Sequence, residues 1–240
     1  MQDETSDLRK EIIARCLELE RRGYVVGTYG NVSVRTKTGL IITPSRIDYR
    51  SLTPPDLVEV SLGGKVERGD RLPSSELEVH RQIYIVRPDV GSVVHTHSLF
   101  ATALSCLHET IPVIVEEQSQ VIGDQIRCTK YVPAGHHREL GEEIARTLGK
   151  ANSVLVANHG SVSCGRSLED AIFACHIVER IAQIRLLVGA IGPPVRIPAK
   201  YVRSERERWL HKYGKAGDGV LSESAEERTD GEDATSSPKR

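Results

Sequence analysis

The sequence has no apolar run long enough to cross a membrane. A transmembrane helix needs about 18 to 20 consecutive apolar residues, and every apolar stretch of this chain is far shorter. The first residues, MQDETSDLRK, are charged where a secretory signal would be apolar. These two absences predict a cytoplasmic protein that is not inserted into a membrane.

The sequence also lacks an excess of charge and a pairing pattern of cysteines. Its 32 basic and 33 acidic side chains give a formal net charge of −1, so the chain as a whole does not favour a nucleic acid or an anionic membrane as partner. Any anion site must therefore be local. The five cysteines are scattered and never form C-x-x-C, which predicts reduced, small core residues.

The length and composition favour one folded domain. With 240 residues, 39% of them hydrophobic and 27% charged, the chain can bury one sizeable core. We expect this domain to span 1–214. From Lys215 onward the chain is rich in charge, serine and glycine and almost free of apolar residues, which predicts a disordered tail over 215–240.

Hydrophobic periodicity predicts strands mixed with helices. Two hairpins are expected, one pairing 31–35 with 40–43 and the other pairing 57–62 with 65–67. Further strands are expected at 91–97, near 111–115 and 127–132, and at 153–157 and 160–165. Helices are expected over 6–22, with Ser6 as N-cap and Gly23 as the stop, from Ser75, from Ser98, over 138–148, and from Ser167 to about Val188. Hairpins mixed with helices indicate an α+β or mixed-sheet fold.

Three histidines are candidate metal ligands. His95 and His97 are separated by one residue on an apolar strand, so both side chains leave the same face. His159 follows another apolar strand directly, where functional side chains are common. Three imidazoles with open positions describe a catalytic metal site. The remaining histidines considered, His80, His136, His137 and His176, are interpreted as partly exposed or satisfied core imidazoles.

A carboxylate and a candidate anion site precede the histidines. Ser75 and Glu78 have the spacing of a capping box, which leaves Glu76 without a structural duty except its favourable interaction with the helix dipole. A helix N-terminus flanked by Ser74 and Ser75 can hold a substrate phosphate. Gly30 and Asn31 offer a second contact of this kind.

In order along the chain, GNVSVR, IITPS, LPSSE, VVHTHS and LVANHG resemble motifs of the class II aldolase and adducin family. The similarity spans roughly residues 5–215. It implies an α/β fold, with a central, mostly antiparallel mixed sheet flanked by helices. It also implies a homotetramer with active sites at subunit contacts, and it makes 1–214 the catalytic domain.

The resemblance also implies roles for individual residues. His95, His97 and His159 match the family's zinc-type ligands, and Glu76 matches a glutamate beside the metal that transfers protons. Neutral imidazoles also accept Mn, Co, Fe or Ni. The positions that match phosphate-binding residues are Asn31, Ser45, Ser74 and Ser75. The segment HKYGK resembles one that places a tyrosine over a neighbouring subunit's site, which makes Tyr213 a candidate proton donor; an ordinary helix-end aromatic is the alternative.

The chain departs from the family pattern in two places. Arg46 follows Ser45 where phosphate-binding members carry glycine, so it either remodels the loop or adds a guanidinium that grips a phosphate or carboxylate. Glu116 stands where aldolase members carry a tyrosine, while dehydratase members use a glutamate nearby. We predict that Glu116 or Glu117 acts as an acid or base, supplied across a subunit contact; charge that solvates a loop is the alternative.

These features predict a metal-dependent lyase. It would cleave a ketose 1-phosphate, or a similar small anionic hydroxy-keto substrate, by retro-aldol chemistry through a metal-stabilised enediolate. Dehydratase, decarboxylase and 4-epimerase activities are alternatives within the family, although epimerase members carry aspartate at the position of Glu76. A non-enzymatic adducin-like scaffold is disfavoured because all three histidines are present. A metal-binding regulatory or storage protein is a further alternative, with no separate regulatory module in the sequence to support it.

Overall fold

A seven-stranded sheet forms the centre of the fold. Its strands are β1 (Asn31–Arg35), β2 (Gly39–Ile42), β3 (Val58–Ser61), β4 (Val66–Arg68), β5 (Ser92–Thr96), β6 (Ser153–Val156) and β7 (Gly160–Gly165). Their order across the sheet is β4-β3-β2-β1-β5-β7-β6. All six pairings between these strands are antiparallel, and both predicted hairpins are present.

Helices cover the sheet. The computed structural model describes residues 2–213, so the tail predicted at 215–240 lies outside the described residues. The helices are α1 (Gln2–Arg21), α2 (Leu77–Val86), α3 (Leu99–Ser105), α4 (His137–Leu148), α5 (Leu168–Gly189) and α6 (Ala199–His211). Short 3₁₀ turns lie at Tyr49–Ser51 and Pro54–Asp56, and a π-helical turn lies at Gln118–Ile122. None of the helices within 2–213 is both long and apolar enough to span a bilayer.

The two faces of the sheet pack against different helices. On β5, Val93 belongs to the apolar cluster formed with α2 and α4, whereas Val94 belongs to the cluster formed with α1 and the start of α5. Successive strand side chains point to opposite faces, so this alternation makes the sheet the middle of three layers. A third cluster joins α3 to α5 beside β6. His95, two residues after Val93, therefore faces α2.

Two predicted strands are not formed. Near 111–115 and 127–132 the chain makes only isolated bridges, Ile111 with Ile126 and Cys128 with Leu155. Ile111 and Ile126 pack with α3 and α5 in the third cluster. The segment is therefore apolar because it is buried as a loop, and an apolar run alone does not distinguish that case from a strand.

The remaining differences lie at helix ends and in one helix that was not predicted. Helix α1 begins at Gln2, so Ser6 is not its N-cap. Helix α2 begins at Leu77 with Glu76 at the N-cap position, so the predicted capping box of Ser75 and Glu78 is wrong. Glu78 forms an ion pair with Arg81 instead. Helix α6 was not predicted because Val202 is its single buried residue, which leaves no apolar stripe to read.

Candidate metal centre

Three imidazoles and one carboxylate converge at the carboxyl end of β5. One ligand atom from each of Glu76, His95, His97 and His159 lies within 4.8 Å of the others. The Nε2 atoms of His95 and His97 are 3.0 Å apart. Glu76 places Oε2 at 3.2 Å from His95 Nε2 and Oε1 at 3.3 Å from His159 Nε2. The structure thus brings together the three predicted ligands and the predicted proton-transfer group.

Strand pairing explains how distant residues meet. Thr96 of β5 pairs with Ser161 of β7, so His159, which lies just before β7, reaches the same edge as His97. Gly160 makes this approach possible. A Cβ atom there would lie 2.3 Å from the carbonyl oxygen of Thr96, closer than any side chain tolerates. The glycine of NHG is therefore required by the contact between the two strands.

Glu76 reaches the cluster from the N-terminus of α2. Asn31 of β1 pairs with His95 of β5, and its Nδ2 donates to Glu76 Oε2 at 2.8 Å. The Glu76 backbone amide donates to Ser74 Oγ at 3.2 Å. A hydrogen bond from β1 therefore positions the Glu76 carboxylate, and a hydrogen bond within the loop positions its backbone.

The charges in the cluster favour one central cation. Burial alone would raise the pKa of Glu76, but His95, His159 and the Asn31 hydrogen bond outweigh it and hold this pKa well below its usual range. Burial opposes a charge on His95, yet Glu76 outweighs it and raises the pKa of His95. Burial and the neighbouring histidines lower the pKa of His97 to about 3 and that of His159 to about 4. Of the three imidazoles, His95 alone therefore favours a proton, beside Glu76, and a bound cation would take the place of that proton.

The donor set fits a divalent transition metal. Imidazole nitrogen with one carboxylate oxygen is a common catalytic combination. His95 Nδ1 lies 2.9 Å from the carbonyl oxygen of Ser161, which can only accept, so Nδ1 carries the proton and neutral His95 keeps the Nε2 lone pair free. The residues positioned to hold the ion are His95, His97 and His159, with Glu76 beside them.

The cluster opens into a cavity of about 630 Å³. Glu76, His97 and His159 line it together with every predicted anion-binding residue: Gly30, Asn31, Ser45, Arg46, Ser74 and Ser75. The two loops that carry the serines are joined by the bridge between Pro44 and Pro73 and by the hydrogen bond from Ser45 N to Leu72 O at 2.9 Å. The motifs at the start of β1, after β2 and before α2 therefore form one wall of the cavity.

Arg46 keeps the backbone shape that glycine would have. Its φ is 59°, in the left-handed region, and its side chain is exposed at the cavity. A non-glycine residue pays about 1–2 kcal/mol for this conformation. The arginine therefore adopts a backbone conformation that suits glycine and places its side chain at the cavity.

Three predicted catalytic residues lie away from the cavity within one chain. Glu116 and Glu117 are exposed beside the π-helical turn, and Glu117 Oε1 is 3.9 Å from Arg180 Nε. Tyr213, the last described residue, packs its ring 4.5 Å from that of Trp209. None of the three lines the cavity.

Sequence reasoning missed several residues around the site. Tyr131, His137 and Thr28 line the cavity from loops and from the start of α4, and nothing in their local pattern pointed there. His80 is fully buried and bonded to Asn31 by a 2.5 Å contact. Its spacing of four residues from Glu76 was the available signal, since residues four apart share a helix face.

A second cavity, of about 580 Å³, lies at the opposite end of β5. Val90, Gly165 and Arg166 line it, together with Arg206 and Trp209 of α6. Its lining residues include no histidine or cysteine, so it offers neither imidazole nor thiolate to a metal. The candidate metal ligands therefore belong to the first cavity.

The order of these site residues matches a known family. The family described as Class II Aldolase and Adducin N-terminal domain matches residues 10–186, which contain Glu76 and all three histidines. The chain belongs to this family. The resemblance inferred from five short motifs is thereby confirmed.

Similar proteins cover nearly the whole aldolase-like region. L-fuculose phosphate aldolase of Escherichia coli (strain K12) is 41% identical over 194 residues, which cover 81% of this chain and 89% of the relative. The 5-methylthioribulose-1-phosphate/5-deoxyribulose-1-phosphate aldolase of Rhodospirillum rubrum is 37% identical over 213 residues, which cover 89% and 94%. A solved structure of an L-fuculose 1-phosphate aldolase superposes with a TM-score of 0.82 at 33% identity, covering 85% of this chain and 97% of the other.

This agreement confirms the predicted fold class. The class II aldolase architecture is a single domain with an antiparallel central sheet and flanking helices, as in the described residues. Within residues 2–213, the expected parallel component is confined to the isolated bridge between Cys128 and Leu155.

Proposed function

We propose that this metal-dependent class II aldolase cleaves a ketose 1-phosphate into dihydroxyacetone phosphate and an aldehyde. The observation that carries the proposal is the convergence of Glu76 with His95, His97 and His159 at the floor of a cavity whose wall can bind an anion. Relatives named for L-fuculose phosphate and for 5-methylthioribulose 1-phosphate support a sugar-phosphate substrate.

The three imidazoles would hold one divalent ion, and zinc is the ion we propose. When bound, such an ion supplies Lewis-acid polarisation of the substrate carbonyl and offsets the charge that develops there during cleavage. The chain's contribution is to keep His97 and His159 neutral and to fix the direction of the His95 ring. His95 is fixed by its bond to the Ser161 carbonyl, and burial keeps His97 and His159 neutral.

Glu76 is the proposed acid and base. Its lowered pKa keeps it ionised at neutral pH, the form that accepts a proton. In a retro-aldol cleavage the electrons of the broken carbon–carbon bond move toward the carbonyl, and a proton must then be supplied to the carbon of the three-carbon fragment. Ionised Glu76 borders both the imidazoles and the cavity. It can therefore accept the proton that the substrate hydroxyl loses as the aldehyde forms, and then deliver it to that carbon, while it keeps its hydrogen bond to Asn31.

The anionic end of the substrate is assigned to the cavity wall. We propose that backbone and hydroxyl groups of Gly30, Ser45, Ser74 and Ser75 contact it, with Asn31 and Arg46. Both polar atoms of the Asn31 side chain are already bonded, but an amide nitrogen carries two hydrogens, so one stays available to an anion.

Residues from a second chain complete the proposed site. Glu116, Glu117 and Tyr213 are exposed and do not line the cavity of their own chain, which leaves them available to a neighbouring copy. We propose that one of the two glutamates, and Tyr213, act across a subunit contact in a homotetramer.

The cytoplasmic location stays a prediction from the sequence.

Arg46→Gly is expected to raise KM about 10- to 100-fold with little change in kcat, because a charge-assisted hydrogen bond is worth about 1.5–3 kcal/mol. Glycine suits the φ of 59°, so the melting temperature should stay the same or rise. Steady-state kinetics with thermal unfolding checks both.

Arg50→Gln is the matched control for Arg46. Arg50 lies four residues further on, in the 3₁₀ turn Tyr49–Ser51. It is exposed, pairs with Glu20 and does not line the cavity. Its kinetics should match those of the unmodified protein. An Arg46→Gly protein with unchanged kcat/KM on its true substrate would show that the guanidinium does not contact the anion.

The assigned reaction is tested by product identity. Metal-replete protein is incubated with ketose 1-phosphates, pentulose 5-phosphates, and 2-keto and 3-oxo acids, while dihydroxyacetone phosphate and carbon dioxide are followed together. Dihydroxyacetone phosphate released from a ketose 1-phosphate is the expected result. Carbon dioxide, or a dehydrated or epimerised sugar without dihydroxyacetone phosphate, would replace the aldolase assignment with decarboxylase, dehydratase or epimerase.

A further inference from the structure

Two sequence periodicities meet beside Glu76. Asn31 and Ser33 alternate along β1 and so share one face of the sheet. Glu76, His80 and Tyr84 are spaced four residues apart from the N-cap of α2 onward, and so share one face of the helix. A row of two polar strand residues thus lies against a row of three polar helix residues in an otherwise apolar interface.

The two rows interlock through a continuous run of hydrogen bonds. Tyr84 Oη lies 2.8 Å from Ser33 Oγ, and Ser33 Oγ lies 2.6 Å from His80 Nδ1. His80 Nε2 lies 2.5 Å from Asn31 Oδ1, and Asn31 Nδ2 lies 2.8 Å from Glu76 Oε2. The middle of the run is closed to solvent, since the His80 and Ser33 residues are both 0% exposed.

The proton positions along this run follow from its carboxylate end. Ionised Glu76 can only accept, so the Asn31 amide must turn its nitrogen to Glu76 and its oxygen to His80. That oxygen also only accepts, so His80 Nε2 must carry the proton. Burial keeps His80 neutral by lowering its pKa to about 3, which leaves Nδ1 as an acceptor for the Ser33 hydroxyl. Ser33 Oγ in turn accepts from the Tyr84 hydroxyl at 2.8 Å, and that hydroxyl also lies 3.1 Å from the backbone carbonyl oxygen of Ser33.

Every bond in the run therefore points toward Glu76. A primary amide does not pass a proton from its oxygen to its nitrogen at useful rates, so Asn31 prevents proton conduction through the run. The run of hydrogen bonds can therefore act only by fixing the orientation of the Asn31 amide. If the His80 N–H were absent, the Asn31 amide could turn over and set its oxygen against the Glu76 carboxylate, which would repel it.

We propose that His80 is a positioning residue for the reaction, which locks the Asn31 amide so that Glu76 is held in the geometry for proton transfer. The inference rests on the proposed function for its catalytic consequence and on the hydrogen-bond geometry for its structural part. It predicts a network in which His80 acts only through Asn31. Neither His80 nor Tyr84 lines the cavity, so neither contacts substrate.

Non-additivity separates this role from a general effect on folding. His80→Leu removes the N–H and is expected to lower kcat about 10- to 100-fold, with KM and metal content little changed. His80→Gln, whose amide can donate to Asn31 and accept from Ser33, should recover most of the loss. The double variant Asn31→Ala with His80→Leu should be no slower than Asn31→Ala alone, because the lost interaction is the same one.

Tyr84→Phe is the control at the far end of the run. It removes one buried hydroxyl but leaves the His80 N–H in place, so kcat should change less than about threefold even if the melting temperature falls. The positioning role would be overturned if the double variant lost kcat by the product of the two single losses. It would also be overturned if His80→Gln, in a folded protein, did not recover kcat.

A spectrum of the unmodified protein tests the structural part without any substrate. With ¹⁵N-labelled histidine, the His80 ring should show a protonated Nε2 and an unprotonated Nδ1, unchanged from about pH 5 to pH 9. A proton on Nδ1, or on both nitrogens, would overturn the proposed orientation. This result is independent of the product assay, so failure of the aldolase assignment and failure of the hydrogen-bond network are distinguishable.

Discussion

Glu76→Gln is expected to lower kcat by about 10²- to 10⁴-fold, the usual contribution of a positioned general acid or base. The carboxylate contacts His95, His159 and Asn31 at once and borders the cavity. Glutamine has nearly the same shape but cannot exchange a proton. KM should change much less than kcat, because the anion contacts on the cavity wall are untouched. Steady-state kinetics on the substrate identified by product release provides the measurement.

Glu78→Gln is the matched control for this prediction. Glu78 lies two residues further along α2, pairs with Arg81 and does not line the cavity. Its loss should leave kcat within about twofold and cost at most about 1 kcal/mol of stability. If Glu76→Gln retained most of the activity with its metal in place, the proton would have to come from another group, and Glu116 and Glu117 would be the first to examine.

Local periodicity carried most of the successful inference. His95 and His97 were predicted to share a face because strand side chains alternate, and both hairpins followed from alternating runs separated by turn residues. Glu76 was singled out by the family motif and by an expected capping box of Ser75 and Glu78 that the structure does not contain. It stands at the N-cap of α2 beside the imidazoles. The family motifs then predicted which distant residues meet.

The misses share a different physical cause. Ile111 and Ile126 look like strand residues, but their burial comes from α3 and α5, which periodicity within the segment does not reveal. His80 looks like an ordinary helix residue until Asn31 and Ser33 are seen opposite it. Tyr131 and His137 line the cavity from the segment before α4 and from its first residue, far in sequence from Glu76. The position of each of these residues depends on packing against parts of the chain that are distant in sequence.

His97→Ala is expected to reduce both bound metal and activity, with cleavage falling by at least about 1,000-fold. Loss of one of three imidazoles leaves a site too weak to keep a divalent ion at ordinary concentrations. His97 suits this test better than His95 because its ring is less buried, so alanine disturbs the core less. Metal content by mass spectrometry, measured on the same samples as the kinetics, checks the prediction.

His136→Ala is the matched control for His97. His136 is exposed, forms an ion pair with Glu139 and belongs to neither the metal cluster nor the cavity. It should keep its metal and its rate. A His97→Ala protein that retained one ion per chain would show that the ion is held elsewhere.

The most direct measurement follows metal content and dihydroxyacetone phosphate release together on the unmodified protein, through chelation and then addition of metal back. We predict about one ion per chain at the start, a rate that falls in proportion as the ion is removed, and recovery of both on addition. A protein that stays fully active after the last ion has been removed would contradict the account.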